Sequence, residues 1–174
     1  MSDNAATSGP ASGPASGPAS GLAGPSAPRI LVDADACPVK EEVYKVAFRH
    51  AVPVAVVSNS PFRVPVHPLI SRVVVADSFD AADDWIAEAA TPRCVVITAD
   101  ILLAERCLKR GAAVLAHTGR RFTLNSIGGQ IATRAIMADL RAGGDAVGGP
   151  APFSKTDRSR FLSALDEALV RLGR

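Results

Sequence analysis

A chain of 174 residues is the length of one domain, long enough to bury a core without disulfide or metal staples. Hydrophobic residues make up 48% of it and the mean hydropathy is +0.20, which excludes a chain disordered throughout, and its apolar runs are strand-sized, too short to cross a membrane. The net charge of +2 is too mild to argue for nucleic acid by itself, and the N-terminus lacks a basic region followed by an apolar stretch, so the cytoplasm is the expected location.

Residues 8–21 repeat serine, glycine, proline and alanine, and small residues of this kind bury too little apolar area to offset their ordering entropy. Residues 1–28 are therefore expected to be a disordered tail, and residues 29–174 the folded domain. Short β-branched runs then alternate with amphipathic stretches. A first strand is predicted at 29–33. A helix follows at 38–50, with Pro38 at its first position, Glu41 and Glu42 in its first turn, and Val39, Val43, Val46 and Ala47 on one face. Strands are predicted at 53–58 and 72–76, separated by a proline-bearing loop at 61–68. A helix over about 80–90 has Ser78 or Asp80 as its cap. Next come an apolar strand at 94–98, a helix at 101–110 stopped by Gly111, a short strand at 113–116 and a helix at 126–141. Ser154 and Asp157 read as a capping box for a last helix, whose apolar face is Phe161, Leu162, Leu165 and Leu169. Strand–helix alternation with buried, non-alternating strands predicts a doubly wound α/β fold: a parallel sheet of about five strands with helices on both faces.

In such sheets ligands bind beyond the carboxyl ends of the strands, where the strand order reverses. Asp33 and Asp35 follow the first strand, and Asp100 follows the fourth in a Thr98-Ala99-Asp100 stretch. Asp77, Asp80, Asp83 and Asp84 follow the third, and Ser58 and His117 end the second and fifth. If the first and fourth strands are neighbours, their acids converge, and several carboxylates in one pocket call for a cation. Oxygen donors without His or Cys suit Mg²⁺ or Mn²⁺. Asp80 and Asp84 read first as caps and Asp35 as a cap or a ligand; Glu41 and Glu42 could reach the pocket from the first turns of their helix, though one of them reads first as a surface partner of Lys45. The three cysteines form no metal or disulfide pattern. Cys94 and Cys107 read as core, and Cys37 has no histidine evident as a catalytic partner.

The chain from Arg120 to Arg160 holds seven basic residues against three acids. Gly148, Gly149 and Pro150 suggest a turn that exposes backbone, and Ser154, Lys155 and Arg158 at the next helix start suggest a phosphate clamp, against the plainer reading of a capped, packed helix. Gly128 and Gly129 lack a full phosphate-loop pattern.

Four motifs then carry a resemblance: Val-Asp-Ala-Asp-Ala-Cys-Pro-Val at 32–39, Asp-Ala-Ala-Asp-Asp-Trp-Ile at 80–86, Val-Ile-Thr-Ala-Asp-Ile-Leu-Leu-Ala at 96–104, and Gly-Gly-Pro-Ala-Pro-Phe-Ser-Lys-Thr-Asp-Arg-Ser-Arg-Phe at 148–161. In that order they resemble the YaiI/YqxD family of uncharacterised bacterial proteins, over Arg29 to Leu169. That family lies near PIN-type domains, Rossmann-like sheets that hold metal in an acid cluster and often cut RNA. The resemblance implies Asp33 as the strand-one acid, Asp100 as the acid of a Thr-x-Asp element, and Asp80 or Asp83 between them. Where PIN nucleases usually place a helical glutamate, this chain offers aspartates.

Three functions follow as expectations. In the first, a Mg²⁺- or Mn²⁺-dependent phosphodiesterase acts on RNA or another nucleic acid. Its metal is held by Asp33, Asp100 and Asp80, Asp35 and Asp83 complete the catalytic set, and Arg120, Arg121, Ser154, Lys155 and Arg158 meet phosphate. The second is a nucleic-acid or nucleotide-binding module with an idle acid pocket. The third is an aspartyl-phosphate phosphatase using Asp33 as nucleophile.

Overall fold

The computed structural model describes residues 27–76, 78, 80–142 and 152–173. Most of the expected tail, Asp77, and the glycine-rich stretches at 143–144 and 148–150 lie outside the described residues.

In chain order the elements are β1 (Arg29–Asp33), a short 3-10 turn (Ala34–Ala36), α1 (Lys40–His50), β2 (Val54–Ser58), β3 (Ile70–Val74), α2 (Ala81–Ala89), β4 (Cys94–Ile97), α3 (Ile101–Lys109), β5 (Ala113–Leu115), β6 (Arg121–Phe122), α4 (Leu124–Ala142) and α5 (Lys155–Leu172). The sheet runs β3-β2-β1-β4-β5-β6, parallel throughout except for the β5–β6 pair. Alternation along the strands divides the core. Ile30, Val32, Val54, Val56, Val95 and Ile97 pack under α1 and α5. Leu31, Ala55, Val57, Val96 and Val114 pack under α2, α3 and the start of α4. Both faces of the central strands are thus dry, which explains their unbroken apolar composition. Among the described residues, no helix is long and apolar enough to cross a membrane.

The expected class holds, with local corrections. The sheet has a sixth strand, β6, antiparallel at one edge; its two residues carry no periodic signal. β3 begins two residues earlier than the run of valines suggests, because Ile70 is the buried residue that pairs with Val54. Pro38 precedes α1 rather than opening it, and Val39 holds the N-cap position. α4 starts at Leu124: Thr123 accepts from the Ser126 N–H and Ser126 accepts from the Thr123 N–H, so Ser126 is the inner partner of a cap. Gly128 and Gly129 lie inside this helix. The Ser154–Asp157 capping box and the left-handed Gly111 stop stand as predicted.

Candidate functional site

From β1 the chain steps outward through β2 and β3 in one direction, and through β4 and β5 in the other, so the order reverses between β1 and β4. Asp33 ends β1 and Asp100 follows β4. Register sets Val32 against Ile97 and brings Thr98 beside Asp33. The Thr98 hydroxyl donates to Asp33 Oδ2 at 2.9 Å, and Thr98 Oγ1 in turn accepts the Asp100 N–H at 3.0 Å. The device recurs on the other flank of β1. Ser58, ending β2, donates to Asp35 Oδ1 at 3.0 Å and accepts the Ser60 N–H at 3.1 Å. Two strand-end hydroxyls therefore fix the two acids of the Asp33-Ala34-Asp35 stretch. Asp35 is exposed in the 3-10 turn and does not cap α1.

Asp100 is the N-cap of α3, its Oδ1 accepting from the Leu102 and Leu103 N–H groups at 2.7 and 3.1 Å. Asp83 comes from the first turn of α2. Burial pushes its carboxyl up to about 6, helped by the charges of Asp100, Asp33 and Asp80 and opposed by Arg106. Asp33 is also raised, by burial foremost. The Thr98 bond opposes that rise, while Asp35 and Asp100 add to it. These shared influences bring Asp33, Asp83 and Asp100 into one electrostatic cluster. Asp80 holds the N-cap position of α2 without a side-chain cap bond, and Asp84 pairs with Arg106 at the surface. Among the described residues, no three His, Cys, Asp or Glu side chains already stand at metal-holding spacing.

Cys37 is buried and its thiol is pushed up to about 11, chiefly by burial. The Asp33 and Glu42 carboxylates add to the rise against Lys40, so no ready thiolate exists there. Of the two first-turn glutamates, Glu42 is not a surface partner of Lys45. It is buried and takes the Arg158 guanidinium on Oε1 at 2.5 Å.

The basic residues do not form one clamp. An open groove of about 1190 Å³ runs between the β5–β6 turn and α5, with Arg120, Arg121, Arg160 and His117 on its wall, and it reaches Ala99 beside Asp100. Arg120 bonds Gln130 and stacks over Phe122, while Arg121 pairs with Glu167. Ser154 is engaged in its capping box and Lys155 is exposed at the start of α5; neither lines the groove, nor does Arg158. Sequence reasoning missed the buried pairing of Glu42 with Arg158, the place of Arg160 on the groove and the positioning role of Ser58. Only the strand-end hydroxyls left a signal, each closing an apolar run.

Fold and site define a Rossmann-like α/β protein with an acid cluster at its strand-order reversal. The chain belongs to the YaiI/YqxD family: residues 31–171 match the family described as "Uncharacterized BCR, YaiI/YqxD family". Its relatives include a "UPF0178 protein" of Sphingopyxis alaskensis, 73% identical over 86% of this chain and 97% of that one. Another, from a Jannaschia species, is 61% identical over 82% and 93% of the two chains. No solved structure matches the chain.

Proposed function

We propose that this protein is a Mg²⁺- or Mn²⁺-dependent phosphodiesterase acting on nucleic acid, RNA foremost. The observation that carries the reading is that Asp33 and Asp100 meet on the Thr98 hydroxyl and that Asp83, pushed up to about 6 by burial foremost, also feels the charges of both. Neighbouring carboxylates, with Asp33 buried among them, favour a cation, and an oxygen-only donor set suits a hard one. Asp33 and Asp100 would hold the ion, with Asp80 at the rim. A cation bound there would polarise a phosphodiester oxygen and lower the pKa of a bound water. Thr98 keeps Asp33 oriented and Ser58 keeps Asp35 oriented. Asp83 changes protonation near neutrality, which suits it to take a proton from attacking water, and Asp35 is the second group for that task. Arg120 and Arg121 in the groove, with Lys155 near it, would meet flanking phosphates. The PIN-type resemblance supports the same chemistry.

Mn²⁺ titration by calorimetry, beside cleavage of a labelled single-stranded RNA, tests the reading. Asp33→Asn and Asp100→Asn are each expected to lose about 10-fold or more in Mn²⁺ affinity and to stop cleavage. Variants that bind and cleave like wild type would overturn it. RNA bound by wild type without turnover in either ion would make the protein a binding module.

A further inference from the structure

Glu42 has no place in the acid cluster, yet it is among the most buried charged residues described, at 3% exposure. Its Oε1 takes Arg158 Nη1 at 2.5 Å, and its Oε2 is buried with no hydrogen-bond partner. A carboxylate taken out of water for one ion pair gains little stability, and an apolar side chain of similar volume would serve the core as well. The pair does more for Arg158 than for the fold. The Arg158 guanidinium also lies over the Phe153 ring, 5.2 Å from its centroid, and Phe153 in turn packs on His117 at 5.6 Å. Held by a carboxylate at one nitrogen and by a ring at its face, the arginine keeps 44% of its side chain exposed. A guanidinium has five N–H donors in a fixed fork, so donors remain after the Glu42 bond. The location follows from the chain path: Glu42 lies in the first turn of α1, which opens just after Asp33 and the 3-10 turn, and Phe153 packs on His117 just beyond the end of β5, so the pair stands at the carboxyl end of the sheet with Asp33.

We infer that Glu42 is a positioning residue that clamps Arg158 as a receptor for a backbone phosphate next to the acid cluster. The inference rests on the nucleic-acid reading above and assigns that reading a specific phosphate contact. The clamp joins α1 to α5, so the receptor is preorganised and loses little side-chain entropy when a phosphate arrives.

The test is fluorescence anisotropy of a short labelled oligouridine with the full chain in EDTA, across a salt series, so that the metal pocket plays no part. Arg158→Ala is expected to bind about 10-fold more weakly and to lower the salt slope by about 1. Glu42→Gln is expected to weaken binding to a similar degree, and the double variant to bind no worse than Arg158→Ala, because Glu42 acts through the arginine. Arg158→Lys keeps the charge without the planar fork and is expected to stay weak. Wild-type affinity in Glu42→Gln, losses that multiply in the double variant, full recovery by lysine, or no oligouridine binding by wild type would each overturn the proposal. A melting temperature for each variant separates misfolding from a lost contact; if Glu42→Gln does not fold, the Arg158→Ala and Arg158→Lys pair decides. Salt-dependent binding without cleavage in Mn²⁺ or Mg²⁺ would sink the phosphodiesterase reading and leave the clamp standing.

Discussion

Asp33 exchanges water for the Thr98 hydroxyl, and the exchange leaves its carboxyl raised. Thr98 itself is 1% exposed, so Thr98→Val would strand the buried Asp33 Oδ2 and leave the part-buried Asp100 N–H without its acceptor. Urea unfolding is expected to show a loss of about 1–3 kcal/mol with an unchanged m-value, largely restored by Thr98→Ser. Asp83 carries the opposite sign from a salt-bridged acid. Its carboxyl titrates at about 6 when folded against an ordinary 3.8, so between those values the folded chain holds a proton that the unfolded chain has released. Stability therefore falls as pH climbs through that window. In metal-free buffer Asp83→Asn is expected to be more stable than wild type by about 1 kcal/mol at pH 7, after allowance for solvent screening, with the difference vanishing below about pH 4.

Helix ends account for much of what positions these residues. Asp100 caps α3 while standing beside Asp33, so one side chain ties the helix start to the acid cluster. α1 ends at Ala51 in the left-handed region, φ 51°, a conformation that glycine takes more readily. The tightest fit lies in the β5–β6 turn. Gly119 has φ +82°, and a Cβ there would sit 2.6 Å from the Arg160 carbonyl carbon and 2.7 Å from the Phe161 nitrogen. Gly119→Ala is expected to lower stability by at least about 1–3 kcal/mol in thermal unfolding and to disturb the groove wall. Gly128, with nothing within 4 Å of its would-be Cβ in α4, is the control. Gly128→Ala is expected to stabilise by about 0.5–1 kcal/mol.

At the scale of the molecule, the doubly wound class was legible because apolar strands and 3.6-residue helices alternate without ambiguity. The acids were legible because Asp33 and Asp100 interrupt apolar runs at strand ends. Glu42 was not: its partner Arg158 lies 116 residues away, and nothing local separates a buried glutamate in a first helical turn from a solvated one. Gly119 was hidden for the same reason, since the backbone it meets belongs to α5. Ser154, read as part of a phosphate clamp, is engaged by Asp157 three residues on, a local bond that the spacing had already indicated.

The reversal of strand order also places the acid cluster in time. β1 meets β2 across a short connection, whereas Asp33 meets Thr98 across 65 residues. Long closures lose chain entropy before their contacts return anything, so β1–β4 pairing is the slower event. Pairing of β1 with β2 and β3 does not involve Asp100, so Asp33 meets it only when β4 docks. The repulsion between these two acids belongs to that docking step, so added salt is expected to speed refolding as well as to raise stability, which stopped-flow refolding across a salt series checks.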